Sequence, residues 1–205
     1  MKIICIGWNY PLHNKEMDRQ DKPAEPVIFM KPDSALLKKN RPFFIPDFSD
    51  EIDYELELVV KIERLGKNIS KKFAPRYYSS VALGIDFTAR DLQRRQRAAG
   101  NPWEICKAFD NSAAISEFVS LTDCGGDINH LNFHLDLNQR TVQTGNTANM
   151  IFSTDEIIEY ASRFFTLKIG DLIFTGTPAG VGKVQAGDHL EAYLEEQKLF
   201  DFKIK

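Results

Sequence analysis

The feature that most constrains this chain is the segment YELELVV at 54–60, where apolar Leu56 and Leu58 alternate with Glu55 and Glu57. A period of two marks a strand, and it puts Glu55 and Glu57 on the same side, able to converge on one point. HLNFHLDLN at 130–138 repeats the alternation through Leu131, Phe133, Leu135 and Leu137. Short apolar runs at 3–6, 27–30, 172–175 and 199–204 are separated by Pro, Gly and Asp clusters, which is turn chemistry between further strands. Helical signals are few. One starts at Ser153, an N-cap with Glu156 placed for a capping box, followed by an apolar stripe of Ile157, Ile158, Ala161, Phe164 and Phe165. A second helix is predicted over about 89–99. The expectation is a mainly β (α+β) chain with a few helices packed on sheet, and 205 residues with 43% hydrophobic content predict one domain spanning 1–205.

Composition removes several function classes. Lysine and arginine number 26 against 29 acidic residues, so the net charge of -3 offers no general attraction to nucleic acid or anionic membrane, and neither is an expected partner. The start, MKIICIGWNYPLH, reaches Asn9 and His13 before a signal-peptide core could be completed. No window approaches the roughly 20 apolar residues of a bilayer span. Cys5, Cys106 and Cys124 are odd in number and widely spaced, which fits neither a disulfide framework nor a paired-cysteine zinc site and predicts a cytoplasmic setting. Three lookalikes fail on detail. GTPAGVGK has Val181 where a phosphate loop needs its second glycine and Val184 where it needs Ser or Thr. His130 and His134 have zinc-helix spacing inside a strand pattern, with no glutamate after His130, and are expected to face solvent. ARDLQRRQRAAG reads as a solvated helix face.

Two adjacent carboxylates repel unless a cation sits between them, although an isolated Glu-x-Glu is equally the outer face of an acidic strand. Asp86, in LGIDFTARDLQ between an apolar run and the second helix, is a third carboxylate placed where loops carry function. Three carboxylates make a hard oxygen site for Mg2+, Mn2+ or Ca2+, with positions left for water and substrate. In WEICKAFD, the flanking Ile105, Cys106, Ala108 and Phe109 allow Lys107 a buried stem and an ammonium in a cavity; a snorkelling surface lysine is the other reading. His13 and Glu16, three apart, share a face on a short helix, as a carboxylate-oriented general base or as an incidental surface pair.

These residues fall within a longer ordered series. GWNYPLHNKE, the Glu55–Glu57 pair, IDFTARDLQ with Asp86 29 residues after Glu57, WEICKAFD, NTANMIFS and LKIGDLIFTGTPAGVG together resemble the fumarylacetoacetate hydrolase family, end to end, without the extra N-terminal domain of its larger members. The resemblance implies a mixed β-sandwich roll, a homodimer, and a divalent cation on Glu55, Glu57 and Asp86, with Mg2+ or Mn2+ the expected metal and Ca2+ also accommodated. It implies catalytic roles for His13, Glu16 and Lys107. Arg90, Gln93 and Thr177 would contact a small 2-oxo acid, Arg90 offering its fork to the substrate carboxylate and Gly176 and Gly180 letting the backbone approach it. The segment 10–21 would be a lid, mobile without ligand. The implied reaction is metal-dependent cleavage of a C–C bond beside a carbonyl, either hydrolysis of an acylpyruvate or decarboxylation of oxaloacetate, with pyruvate enolate leaving. The alternatives are an isomerase or hydratase of hydroxymuconate-type or hydroxyhepta-diene-dioate intermediates, and a non-catalytic metal- and ligand-binding protein. Three departures stand out: Ile85 replaces the usual Asn, NSAAISEFV follows WEICKAFD, and LNQRTVQ replaces an NG turn. The last is expected to alter only a hairpin.

Overall fold

In the computed structural model, which describes residues 1–205 except Gln20 and Lys39, the alternating segment forms the strand Leu56–Lys61 in the middle of the largest sheet. The strand order there is Val27–Lys31, Ile3–Gly7, Leu172–Phe174, Leu56–Lys61, Ser80–Asp86, Ala113–Ile115 and Leu36–Lys38, with Val119–Ser120 also paired to Ser80–Asp86. The sheet is mixed: Ile3–Gly7 runs parallel to Leu172–Phe174 and Leu36–Lys38 parallel to Ala113–Ile115. A second, antiparallel sheet orders Arg140–Asn146, Asn132–Leu137, His189–Leu194 and Gln197–Lys203. A small ribbon of Gly182–Lys183, Ile52–Tyr54 and Thr88–Ala89 completes a strand-dominated α+β fold. No described helix is long and apolar enough to cross a membrane.

Both faces of the large sheet are covered, and the period of two decides which residue goes where. Ile4, Ile6, Leu58, Val60, Leu83 and Ile85 point into the main core with Phe133, Leu135, Leu190 and Phe200 of the second sheet. Their neighbours Ile3, Cys5, Val59, Ala82, Leu172 and Phe174 form a smaller cluster on the opposite face. Glu55 and Glu57 share the parity of Val59, so that apolar row ends in two carboxylates. Glu55 fills the one-residue break between Ile52–Tyr54 and Leu56–Lys61, where the chain passes from the ribbon to the large sheet.

The helix Thr154–Phe164 starts with the expected capping box: Ser153 Oγ accepts from the Glu156 N–H at 3.4 Å, and Glu156 Oε2 accepts from the Ser153 N–H at 2.9 Å. Ile157, Ile158 and Ala161 are fully buried, but the stripe stops short of its expected end. Phe164 is 55% exposed, its ring edge-on to Tyr160 with the Arg163 guanidinium over both rings, and Phe165 lies half-buried past the helix end. The second helix, Arg90–Ala99, ends at Gly100, whose φ of 68° supplies the left-handed C-cap. His130 is exposed as expected; His134 is half-buried, stacked flat on Tyr193 with ring centroids 4.7 Å apart. Asn138 and Gln139, both at positive φ, make a two-residue hairpin turn without an NG pair.

Gly84 sits in the strand Ser80–Asp86, on the parity of Asp86, and a Cβ there would lie 2.7 Å from Val59 Cγ2 and against the Phe174 ring. Gly84→Ala should therefore overpack the second face and cost about 1–3 kcal/mol. The check is the urea midpoint; an unchanged value would show that the strand has room to spare.

Candidate metal centre and active site

Antiparallel pairing brings the carboxylates together. The Asp86 N–H donates to the Glu55 carbonyl at 2.8 Å, which sets the end of Ser80–Asp86 beside the Glu55–Glu57 pair. Glu55, Glu57 and Asp86 are 4%, 2% and 0% exposed, and each offers an oxygen within 4.8 Å of the others. They line a cavity with His13 from the helix Pro11–Glu16, Arg90 and Gln93 from the helix Arg90–Ala99, Lys107 from the short helix Glu104–Lys107, and Thr177. Trp8, Phe29 and Trp103 supply aromatic wall, and the free space is about 20 Å³. Glu16 does not line the cavity and meets it only through its contact with His13.

Lys107 is buried, its ammonium donating to Glu55 Oε2 at 2.7 Å, Asp86 Oδ2 at 2.7 Å and Thr88 Oγ1 at 2.6 Å. Arg90 departs from its expected orientation. Its fork, expected to meet a substrate carboxylate, instead donates to Asp53 Oδ2 at 2.7 Å, Glu55 Oε1 at 2.6 Å and Gln93 Oε1 at 2.5 Å. Two charged residues of this network were not singled out from the sequence. Asp53 has the parity of Glu55 and Glu57, so the alternation held a signal for it. Lys31 ends the strand Val27–Lys31 and is 2% exposed, with its ammonium 2.7 Å from Asp86 Oδ1 and 3.0 Å from Ser112 Oγ; a lone lysine after an apolar run carries no such signal.

Burial, then Asp86 and Glu55, push the Glu57 carboxyl well above its usual range. Burial acts the same way on Glu55, but Lys107 and Arg90 outweigh it and hold that carboxyl low. Burial would lower Lys107; Asp86 and Glu55 outweigh it and hold the ammonium charged. Four buried carboxylates, Asp53, Glu55, Glu57 and Asp86, thus face three buried cations, Lys31, Arg90 and Lys107. The unmatched carboxyl is Glu57, which among the described residues has no ion-pair partner and accepts one N–H, from Gly176 at 2.7 Å. Asp86 Oδ1 is buried and receives no directed hydrogen bond despite the nearby Lys31 ammonium. A buried carboxyl whose ionised form lacks a countercharge, an unbonded carboxylate oxygen and an all-oxygen donor set fit a hard divalent cation.

Above the carboxylates, His13 Nδ1 lies 3.3 Å from Glu16 Oε2, which leaves Nε2 as the nitrogen free toward the cavity. Burial raises the Glu16 carboxyl, but hydrogen bonds from His13 and the Gly180 N–H, the latter at 3.1 and 3.2 Å to its two oxygens, bring it below its ordinary value. Gly176 and Gly180, expected to approach a substrate carboxylate, thus hold the chain's own Glu57 and Glu16. Their φ values of 101° and 100° favour glycine, and a Cβ on Gly176 would lie 2.7 Å from Asn9 Cβ. The LNQRTVQ run also does more than turn a hairpin. Its last residue, Gln143, is 1% exposed; Nε2 donates to Thr177 Oγ1 and the Pro178 carbonyl, both at 2.9 Å, while Oε1 accepts from the Leu56 N–H at 2.9 Å.

Fold and site together define a strand-built enzyme core around a buried carboxylate triad, and comparison with known proteins gives its family. The family described as Fumarylacetoacetate (FAA) hydrolase C-terminal matches residues 2–201, and the chain belongs to it. Oxaloacetate tautomerase YcgM of Escherichia coli (strain K12) is 38% identical over 198 residues, 97% of this chain and 90% of that protein. Mitochondrial oxaloacetate tautomerase FAHD1 of Mus musculus is 38% identical over 203 residues, 99% of this chain and 91% of that protein. The crystal structure of fumarylpyruvate hydrolase from Pseudomonas aeruginosa in complex with Mn2+ and pyruvate superposes with a TM-score of 0.93 at 34% identity, covering 100% of this chain and 89% of that one.

Removing Lys31 should expose the electrostatic debt. Lys31→Met leaves Asp86 Oδ1 facing no cation in a dry site, a change that costs about 3–5 kcal/mol for a broken buried pair. Added Mn2+ should raise the melting temperature of the variant more than that of the parent. Equal shifts would place Lys31 outside the electrostatics of the triad.

Proposed function

We propose that the chain is a divalent-cation-dependent enzyme that moves a proton at the carbon beside the oxo group of a small 2-oxo acid, interconverting keto and enol forms of an oxaloacetate-like substrate. The observation that carries this reading is the triad bridged by the Lys107 ammonium, with the His13–Glu16 pair over the same small cavity. A divalent cation held by Glu55, Glu57 and Asp86, Mg2+ or Mn2+, supplies Lewis acidity toward the substrate oxygens when bound. Lys107, its three N–H bonds committed to Glu55, Asp86 and Thr88, is a fixed positive charge beside the oxygen on which negative charge develops. With Nδ1 turned to an ionised Glu16, His13 presents Nε2 as the base that takes the proton from carbon in the keto form and delivers it to the enolate oxygen to give the enol, the reverse direction running the same transfer backwards. Thr177, held by Gln143, and Gln93, held by Arg90, orient the acid, while Trp8 and Trp103 keep bulk water from the nascent enolate.

The C–C cleavage implied by the sequence is the second reading. Hydrolysis of an acylpyruvate uses the same charge stabilisation and asks His13 to activate water instead of accepting a carbon-bound proton, and the likeness to the fumarylpyruvate hydrolase structure favours it. The free thiols Cys5, Cys106 and Cys124 support a reducing, cytoplasmic setting.

Enol oxaloacetate, followed by its ultraviolet absorbance with Mg2+ or Mn2+, tests the first reading; acetylpyruvate, with pyruvate release coupled to lactate dehydrogenase, tests the second. The parent protein should accelerate enol loss well above buffer, and His13→Ala should lose about 10²–10⁴-fold. Enol loss at the buffer rate alongside acetylpyruvate cleavage would reverse the order of the readings, and inactivity on both would remove the 2-oxo acid.

A further inference from the structure

The helix Pro11–Glu16 presents its two sides to two different cavities. Pro11, Asn14 and Lys15 fall at positions i, i+3 and i+4, on one side of the helix, whereas His13 and Glu16 lie about half a turn round it. His13 lines the triad cavity. Pro11, Asn14 and Lys15 line a separate cavity of about 640 Å³, completed by Asp18, Arg19 and Lys22 from the segment after the helix and by Ile151. The Ile151 N–H donates to the Asn9 carbonyl at 2.8 Å, which fixes that wall to the strand-and-loop body of the chain. The volume is that of an ordinary small-molecule site.

Three cations, Lys15, Arg19 and Lys22, stand in this cavity against one carboxylate, Asp18, a surplus of two positive charges. The ion pairs of the neighbouring elements are His13 with Glu16, Arg90 with Asp53 and Arg94 with Glu51; among the described residues none of the three cavity cations lies within ion-pair distance of a carboxylate. Asn14 adds a group of another kind. It is 4% exposed, and its Nδ2 donates to the Trp8 carbonyl at 3.1 Å, which leaves Oδ1, buried and without a hydrogen-bond partner, as the acceptor it can offer a ligand. An orphaned buried acceptor carries the full cost of its desolvation, so a donor from outside the chain gains more there than at a solvated group.

We propose that this second cavity binds a phosphomonoester of a small polyol, at a site separate from the triad. A phosphomonoester carries about -1.5 to -2 charge near neutral pH and three acceptor oxygens, which matches both the charge surplus and the three cations around it. A monocarboxylate matches neither. Hydroxyls of the polyol donate to Asn14 Oδ1 and to Asp18, acceptors that a bare anion leaves unused. Trp8 adjoins both cavities: its carbonyl holds Asn14, the Arg19 Cζ lies 5.0 Å from its ring centroid, and the same ring stacks on His13 with centroids 6.0 Å apart. It is a non-glycine residue at φ 64°, a conformation that persists only where the surroundings over-determine it. A ligand bridging Lys15, Arg19 and Lys22 therefore clamps the helix that carries His13 to the segment that follows it.

Glycerol 3-phosphate and methyl phosphate share the phosphomonoester and differ in the hydroxyls. Calorimetric titration with Mg2+ present should show glycerol 3-phosphate binding about 10-fold tighter than methyl phosphate, the worth of hydrogen bonds to a buried acceptor and a carboxylate. Lys15→Met and Lys22→Met, both at exposed positions, should each weaken glycerol 3-phosphate about 10-fold. Amide hydrogen exchange over residues 11–19 should slow when it is bound. No binding to the parent at millimolar ligand would overturn the site. Binding that both variants keep would do the same, because the phosphate would then sit elsewhere, on the triad's cation first of all. Equal affinity for the two phosphates would remove the polyol, and unchanged exchange would remove the clamp on the helix.

Discussion

The Lys107 ammonium, shared between Glu55 and Asp86, is the interaction on which the rest of the site depends. It joins a residue at a sheet-to-sheet break and the last residue of a central strand, already paired through their backbones, to a four-residue helix. Lys31 and Arg90 extend the network on either side, so that each carboxylate except Glu57 has a cation. A buried ion network of this kind is weak evidence for stability, since desolvation offsets much of its attraction. Its consequence is chemical. A dry pocket one cation short of balance is a site whose electrostatics are completed by a divalent cation, and with that cation bound the pocket would carry a net positive charge suited to an organic anion.

What was legible in the sequence follows from distance along the chain. Glu55 and Glu57 announce themselves because period-two alternation is local, and Asp53 would have been found by extending the same parity one step further. The capping box at Ser153 is local too, and it formed as expected. Lys31 could not be read: its importance arises from strand pairing with Ile3–Gly7 and from Ser112, 81 residues away. Gln143 was passed over as part of a hairpin because its role depends on an 87-residue contact to the Leu56 N–H and on the loop carrying Thr177. The helix at 154–164 shows the opposite failure. Its periodicity suggested burial through Phe164, but periodicity does not report where the covering sheet ends.

The residues whose expected partner was a ligand, and whose actual partner is the protein, share one physical cause. Arg90 and Gly176 each offer N–H donors in a low-dielectric pocket, and a buried carboxylate left without donors costs more than a ligand waiting for them can recover. The chain's own Asp53, Glu55 and Glu57 therefore take those donors, while Glu16 takes the Gly180 N–H at the exposed rim. Pre-organisation of this kind fixes the carboxylates in advance of any cation, and it also strips the inner cavity of free positive forks.

The helix Pro11–Glu16 closes one side of this cavity with His13. The helix Pro11–Glu16 is tied to the body by few bonds: Asn14 Nδ2 donates to the Trp8 carbonyl at 3.1 Å, and the partly exposed Glu16 accepts from the Gly180 N–H. Only the Gly180–Glu16 contact lies at a solvent-accessible edge, where a hydrogen bond contributes about 0.5–1.5 kcal/mol; the Asn14 contact is buried, as are Tyr10 and His13. A cavity of about 20 Å³ has room for little more than one water, so a 2-oxo acid enters only if the lid yields. On the proposed reading Glu16 couples closure to chemistry: the carboxylate that accepts from the Gly180 N–H also lies against His13 Nδ1, so the base would be oriented while the helix is docked.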